Sequence, residues 1–199
     1  MIIDMHMHEM RYSGDSFLRL ENMVEIAKRR GLDGICITDH DSMGLKEFAA
    51  EYSEKTGFPI FVGIEFYSLQ GDIVAFGIED YPKERIPAQE FVDLVQAQGG
   101  MCFSAHPFRN NNRGLEEIVK GLDGIEVLNG STLYEANRKA AEYAAELGLA
   151  TVGSSDCHVP EKLGLYATYF PREIRSVQEL IRSVKRCETL PVYYKEGGY

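Results

Sequence analysis

The five histidines of this sequence are its clearest candidates for a functional site, because all of them lie at or just after the ends of predicted strands. They are His6, His8, His40, His106 and His158. In parallel α/β folds the carboxyl ends of the strands meet at one edge, where functional groups gather. A single histidine is most often a surface or satisfied core residue, but five at one edge favour a shared site.

Carboxylates accompany these histidines. His6 and His8 alternate along one strand, so both imidazoles lie on the same face. Segments 39–41 and 156–158 each place an aspartate beside a histidine, and Glu65 ends another apolar run. Such a cluster without a cation is costly, because of mutual repulsion and desolvation. Mixed imidazole and carboxylate ligands suit Zn²⁺, Mn²⁺ or Fe, and their number predicts two to three divalent ions.

The elements that must position these side chains alternate in type along the chain. Predicted strands cover residues 2–5, 34–38, 60–64, 73–76, 101–105, 124–128 and 150–154. Predicted helices cover residues 18–31, 43–56, 87–99, 114–121, 133–147 and 176–187. This rhythm favours parallel strands with helical crossovers, as a compact barrel of about seven strands or as a doubly wound sheet. We expect one domain over residues 1–199, with a frayed tail at 190–199.

Composition excludes several classes of protein. The chain has 31 acidic and 21 basic residues among 199, a net charge of −10, so we expect no broad nucleic-acid-binding surface. No apolar run approaches the roughly 20 residues that span a bilayer. The four scattered cysteines and the absence of a signal peptide predict a cytoplasmic protein with reduced thiols. Dinucleotide, P-loop and serine-hydrolase motifs are missing.

Six short motifs follow one another between residues 4 and 158. They are Asp4-Met5-His6-Met7-His8, Tyr12-Ser13-Gly14-Asp15-Ser16, Thr38-Asp39-His40-Asp41, Gly63-Ile64-Glu65, Ala105-His106-Pro107-Phe108-Arg109 and Gly153-Ser154-Ser155-Asp156-Cys157-His158. Their residues and order resemble the PHP (polymerase and histidinol phosphatase) superfamily. The resemblance implies a distorted (β/α)7 TIM-like barrel with up to three metal ions at the strand ends. It also implies phosphoesterase activity, as in stand-alone nucleotide and oligonucleotide phosphatases.

The resemblance assigns metal ligands over three sites. The first site takes His6, His8, Glu65 and Asp156. Glu65 bridges to the second site, which His106 also holds. The third site takes Asp15, His40 and His158.

Two features depart from the family pattern. Val74 stands about where many relatives carry a second-site histidine, which weakens that site or leaves it to water or substrate. Asp72 lies on the same face of the strand and is a candidate substitute. The segment from His8 to Ser13 is also about one residue longer than usual, which bears on the position of Asp15.

The expected reaction is attack of a hydroxide, formed from water that two cations share, on phosphorus. Cations at the non-bridging oxygens would neutralise charge in the transition state. We class Glu65, Asp156 and His158 as the catalytic residues. The proton for the leaving group comes from His158, from His40 or from a metal-bound water.

Two arginines are candidates for binding the substrate phosphate. Arg109 follows the His106 motif directly, and its planar guanidinium suits a phosphate group. The alternative is a solvent-facing arginine paired with an acidic neighbour. Arg113 is the second candidate, although its surroundings are typical of a plain polar turn. Cys157, between two proposed ligands, is expected to point away from the metals.

The leading interpretation is a metal-dependent phosphoesterase for a small phosphorylated metabolite, a nucleotide or an oligonucleotide end. A second interpretation keeps the site and changes the bond to an amide or a cyclic ester. Cationic residues in the pocket favour the first interpretation, and their absence favours the second. A third is a catalytically weak metal-binding accessory module, which Val74 supports and the many retained ionisable groups oppose.

Overall fold

The computed structural model describes residues 1–111, 113–117 and 119–194. Its strands are β1 (Ile2–Asp4), β2 (Gly34–Ile37), β3 (Ile60–Val62), β4 (Ile64–Tyr67), β5 (Asp72–Phe76), β6 (Met101–Ser104), β7 (Gly124–Asn129), β8 (Ala150–Ser154), β9 (Tyr166–Tyr169) and β10 (Leu190–Tyr193). Its helices are α1 (Leu20–Arg29), α2 (Lys46–Thr56), α3 (Ala88–Ala97), α4 (Tyr134–Leu147) and α5 (Val177–Lys185). Among these described helices, none has the length and apolar character needed to cross a membrane.

The strands form two five-stranded sheets, in the orders β10-β9-β1-β2-β3 and β4-β5-β6-β7-β8. Strands β1, β2 and β3 run parallel, as do β6, β7 and β8. Antiparallel pairs join β4 to β5, β5 to β6, β1 to β9 and β9 to β10. Isolated bridges join the two sheets, Met7 with Cys157 and His40 with Glu65, and Thr168 Oγ1 of β9 donates to the carbonyl oxygen of Gly153 in β8 at 2.8 Å. The mixed α/β fold is therefore confirmed, whereas a closed barrel is not.

The predicted strand at 60–64 is interrupted at Gly63, and this break separates the two sheets. A Cβ atom at Gly63 would lie 2.4 Å from the carbonyl oxygen of Ala75, so only glycine permits this approach. Beyond the break, β4 pairs with β5 in the second sheet, and only the bridge from Glu65 to His40, among the described residues, keeps β4 beside the chain that follows β2. The chain thus turns from one sheet into the other at the position of Glu65.

Three further expectations differ from the structure. The helix predicted at 114–121 is absent, since the described residues there are turns and irregular chain. Strand β9 was not predicted, because Tyr166–Tyr169 is short and only partly apolar. Residues Leu190–Tyr193 form β10 against β9, so this part of the predicted frayed tail is wrong. The remaining tail at 195–199 lies outside the described residues.

An apolar cluster fills the space between the sheets and fixes the strands. It includes the buried side chains of Met5, Val74 and Phe103, and α5 adds Leu180 and Val184. Helix α1 packs on the first sheet and α3 on the second, each through its own apolar cluster. The strands are therefore anchored along their length, and the polar residues that follow their carboxyl ends are held in place.

Candidate metal centre

The residues predicted to hold metal ions come together at one edge of the molecule. His6 and His8 follow β1, His40 follows β2, Glu65 lies in β4, His106 follows β6, and Asp156 and His158 follow β8. Asp15 reaches the same place from the loop between β1 and α1. The shared position of the strand ends, as in other α/β folds, brings together residues up to 152 positions apart, from His6 to His158.

The first group contains His6, His8 and Asp156, whose ligand atoms all lie within 4.8 Å of one another. The Nε2 atoms of the two histidines are 3.1 Å apart. His8 Nε2 lies 3.3 Å from Asp156 Oδ1, and His6 Nε2 lies 3.2 Å from Glu65 Oε1. All four side chains are buried. They match the set that the resemblance assigned to a first metal.

The second group contains His6, Glu65 and His106. His106 Nε2 lies 2.8 Å from Glu65 Oε1 and 3.8 Å from Asp72 Oδ2. The antiparallel register pairs Glu65 with Val74, whose side chain is fully buried in the apolar cluster. Val74 therefore offers no ligand here, and Asp72, on the same face of β5, turns its carboxylate toward the group.

The third group contains His8, His40 and His158, and Asp15 completes it from the rim. Asp15 Oδ2 lies 3.3 Å from His40 Nε2 and 3.4 Å from His158 Nε2. The Asp15 side chain is 61% exposed, whereas those of the first group are buried. This outer group is thus the one that solvent reaches most easily.

Buried polar atoms test whether these residues fit a metal ion. His106 Nδ1 and Asp72 Oδ1 have no hydrogen-bond partner among the described residues, and Glu65 Oε2 and Asp72 Oδ2 make only ion-pair contacts, the shortest of each at 2.6 Å, with His40 Nδ1 and Arg113 Nε. Buried charge without such partners is costly unless a cation lies close by. Imidazole and carboxylate together are donors that Zn²⁺, Mn²⁺ and Fe accept. The residues present therefore fit divalent metal ions, as expected from the sequence.

Protonation states in the cluster also suit metal binding. Burial would raise the pKa values of Glu65 and Asp156, but the neighbouring histidines hold both well below their usual range. Burial lowers the pKa of His8 to about 4, so its imidazole is neutral. Burial opposes protonation of His6 as well, but carboxylates raise the pKa of His6 well above its usual value. A metal ion bound there would displace that proton.

Glu126, which was not among the predicted site residues, orients two proposed ligands from behind. Its carboxylate is fully buried and lies 3.3 Å from His6 Nδ1 through Oε1. Oε2 accepts hydrogen bonds from the backbone N–H of His106 at 2.6 Å and from Asn129 Nδ2 at 2.9 Å. Ser154 Oγ donates to Oε1 as well. Because His6 Nδ1 faces Glu126, its Nε2 faces the centre. The period-two position of Glu126 in its strand was the available signal.

A second hydrogen-bond network, formed by Ser13 and Asp39, orients His8. Ser13 Oγ lies 3.3 Å from His8 Nδ1 and donates to Asp39 Oδ1 at 2.8 Å. Asp39 Oδ1 also accepts the backbone N–H of Glu9 at 2.6 Å. This arrangement directs His8 Nε2 toward the first group. Cys157 instead lies in the apolar cluster of Met7, as expected for a residue that points away from the metals.

Both predicted phosphate-binding arginines lie at the site. Arg109 donates through Nη2 to Asp156 Oδ2 at 2.5 Å and to Asn129 Oδ1 at 3.1 Å. The guanidinium of Arg109 is thus paired with an acidic neighbour that is itself a proposed ligand. Arg113 Nε lies 2.6 Å from Asp72 Oδ2. A cavity of about 340 Å³ opens over Glu65, and both arginines line it.

Comparisons with known proteins find similarity in sequence and in fold. The family described as PHP-associated matches residues 134–189. The uncharacterized protein MJ1587 of Methanocaldococcus jannaschii is 28% identical over 139 residues, which are 63% of this chain and 80% of that protein. A probable phosphatase of Caldicellulosiruptor saccharolyticus is 24% identical over 206 residues, covering 98% of this chain and 78% of the relative.

A solved structure from Bacteroides vulgatus shares the fold. It is a two-domain protein containing a predicted PHP-like metal-dependent phosphoesterase, and it superimposes with a TM-score of 0.78 at 23% identity. The match covers 97% of this chain, which spans 64% of that two-domain protein. The resemblance to the PHP superfamily is confirmed. The names of the probable phosphatase and of the PHP-like metal-dependent phosphoesterase agree with the predicted enzyme class, a metal-dependent phosphoric ester hydrolase.

Proposed function

We propose that this chain hydrolyses a small phosphate ester with the help of divalent metal ions. The observation that carries the proposal is the convergence of three groups of metal-ligand side chains around Glu65, beneath a cavity lined by two arginines. Acidic and imidazole side chains would hold the cations, and the arginines would meet the negative phosphate. This combination of charges suits phosphoryl transfer.

The metal ligands in this proposal are His6, His8, Glu65, Asp156, Asp15, His40, His158 and His106. Divalent ions bound to them would supply Lewis-acid activation of water and of the phosphoryl group. Glu65 contacts a histidine of each group. Its carboxylate oxygens lie 3.2 Å from His6, 2.6 Å from His40 and 2.8 Å from His106. We assign it the bridging position. His158, partly exposed at the rim beside Asp15, is with His40 a candidate proton donor to the leaving group.

The cavity supports a small substrate or a chain end. Its volume of about 340 Å³ is at the low end of the roughly 300–1,000 Å³ of ligand pockets. A phosphorylated metabolite, a nucleotide or the end of an oligonucleotide would fit there with the phosphate near Glu65. We propose no contact with a membrane and no broad nucleic-acid surface, in keeping with the net charge of −10.

The two alternative functions receive less support. Amide or cyclic-ester hydrolysis would not call for two arginines at the cavity, and both arginines line it. A weak accessory module would have no physical need for three groups of buried or half-buried ligands. The arrangement therefore supports phosphoryl chemistry over both.

Phosphate release tests the proposal. Purified protein with Mn²⁺, Zn²⁺ or Fe²⁺ should hydrolyse p-nitrophenyl phosphate, a nucleoside 5′-monophosphate or a 5′-phosphorylated oligonucleotide. Asp156→Asn should lower turnover by more than about 100-fold, because it removes a charged ligand. Cys157→Ala is the matched control at the next residue and should keep its activity. Hydrolysis of amides or cyclic esters, with none of phosphate esters, would contradict the proposal.

A further inference from the structure

The corner of the site around His106 contains a permanent cation of its own. Two carboxylates face this corner, since His106 Nε2 lies 2.8 Å from Glu65 Oε1 and 3.8 Å from Asp72 Oδ2. The guanidinium of Arg113 reaches the same two carboxylates. Its Nε lies 2.6 Å from Asp72 Oδ2, and its Nη2 lies 3.8 Å from Glu65 Oε2. One positive group thus already offsets part of the negative charge at this corner.

The fold holds Arg113 in this position through its backbone and its side chain. The backbone N–H of Asp72 donates to the carbonyl oxygen of Arg113 at 2.6 Å. Gly71 has φ of 149°, and a Cβ atom there would come within 2.9 Å of that carbonyl oxygen. The guanidinium carbon also lies 4.1 Å from the ring centroid of Tyr67. Asp72 therefore fixes Arg113 at both ends, and an aromatic face supports it.

A metal ion at this corner would have few ligands left. Val74, the sheet partner of Glu65, is apolar and fully buried. Asp72 is paired with Arg113, and Glu65 is shared with the first and third groups. A guanidinium stays protonated and has no lone pair to offer a metal, so it repels a second cation.

We propose that Arg113 takes the place of a metal ion at the His106 corner, so that the centre binds two metal ions and one guanidinium. The two ions would be held by the His6 group and by the Asp15 group. His106, one of the ligand candidates above, would then contact Glu65 Oε1 at 2.8 Å instead of a metal ion. Resting on the proposed function, Arg113 also binds the phosphoryl group. Its Nε is occupied by Asp72 and its Nη2 lies 3.5 Å from His40 Nδ1, while its 29% exposed side chain lines the cavity.

Metal stoichiometry tests the assignment without reference to activity. Protein equilibrated with Mn²⁺ by dialysis and measured by elemental analysis should hold two ions per chain. Arg113→Ala frees Asp72 and should add a third ion, and Val74→His in the same variant should tighten it. Arg113→Lys keeps the charge and should stay at two. The matched control is Arg85→Ala. The Arg85 guanidinium carbon lies 3.6 Å from the ring centroid of Tyr67, the same ring that Arg113 contacts. This variant should still hold two metal ions per chain.

Three ions in the wild-type protein would overturn the assignment, as would a count of two in both Arg113→Ala and the double variant. Binding of inorganic phosphate to the metal-loaded protein gives a second readout. It should weaken by about 10-fold in Arg113→Ala, because a charge-assisted contact is lost. Two ions without hydrolysis of any phosphate ester would refute the proposed function and leave the metal count standing. Hydrolysis of a phosphate ester by a protein that holds three ions would support the proposed function and refute the role of Arg113.

Discussion

Glu126 offers a demanding test of how the site is built, because it touches no substrate and is not a proposed ligand. Its carboxylate accepts from His6 Nδ1, Ser154 Oγ, the His106 backbone and Asn129. In Glu126→Gln one oxygen becomes an amide nitrogen that cannot accept. Whichever way the amide turns, two buried donors lose their acceptor, at roughly 1–3 kcal/mol each. We expect the free energy of unfolding of the metal-free protein to fall by at least about 2 kcal/mol.

Metal affinity should fall as well in Glu126→Gln, because Glu126 sets the ring orientation of His6. Loss of such an outer hydrogen bond typically weakens metal binding about 10- to 100-fold, or roughly 1.4–2.7 kcal/mol. Competition with a chelating dye measures the affinity, and urea denaturation measures the stability. Glu146→Gln, an exposed change on α4, is the control and should alter neither. A folded Glu126→Gln protein with wild-type metal affinity would refute the reasoning.

Three more predictions concern other positions. Asp15→Asn should leave stability nearly unchanged, because the side chain is 61% exposed, and should weaken one metal ion about 10-fold or more in a dialysis titration. Arg109→Lys should lower kcat/KM about 10-fold, because lysine cannot hold Asp156 and Asn129 together and also meet the phosphate; a wild-type kcat/KM would contradict this role. Burial raises the pKa of Asp4 to about 7, against its hydrogen bonds with Ser155 and Gly164. Its folded-state pKa thus exceeds the unfolded value, so its contribution to wild-type stability falls between about pH 4 and pH 7. The stability of metal-free Asp4→Asn relative to wild type should therefore rise between about pH 4 and pH 7 in urea denaturation, and a pH-independent difference would be evidence against this.

The metal-ligand side chains could be predicted because their signal is local. Histidine and carboxylate at the ends of apolar runs mark the edge of a sheet, whatever the order of the strands. His6 and His8 needed only the two-residue period of a strand to be placed on one face. The proposed ligands consequently lie together even though the predicted barrel is not confirmed.

Strand direction and close backbone contacts could not be predicted in the same way. Apolar alternation is the same in parallel and antiparallel strands. The hairpin that joins β4 to β5 through residues 68–71 could therefore not be predicted from the sequence. Arg113 resembled part of a polar turn, since its place depends on backbone packing against Gly71. Glu126 was ambiguous because the register of β7 with β8 shifts between Glu126 and Leu128.

Metal removal and return tests the central claim most directly. The protein would be stripped with a chelator, shown to be folded by circular dichroism, and titrated with Mn²⁺ while phosphate release is followed. We predict no activity in the stripped protein and full recovery at about two equivalents per chain, because in the proposed function bound metal ions would activate the attacking water. Full activity without metal, or binding of less than one equivalent by the folded protein, would contradict the account.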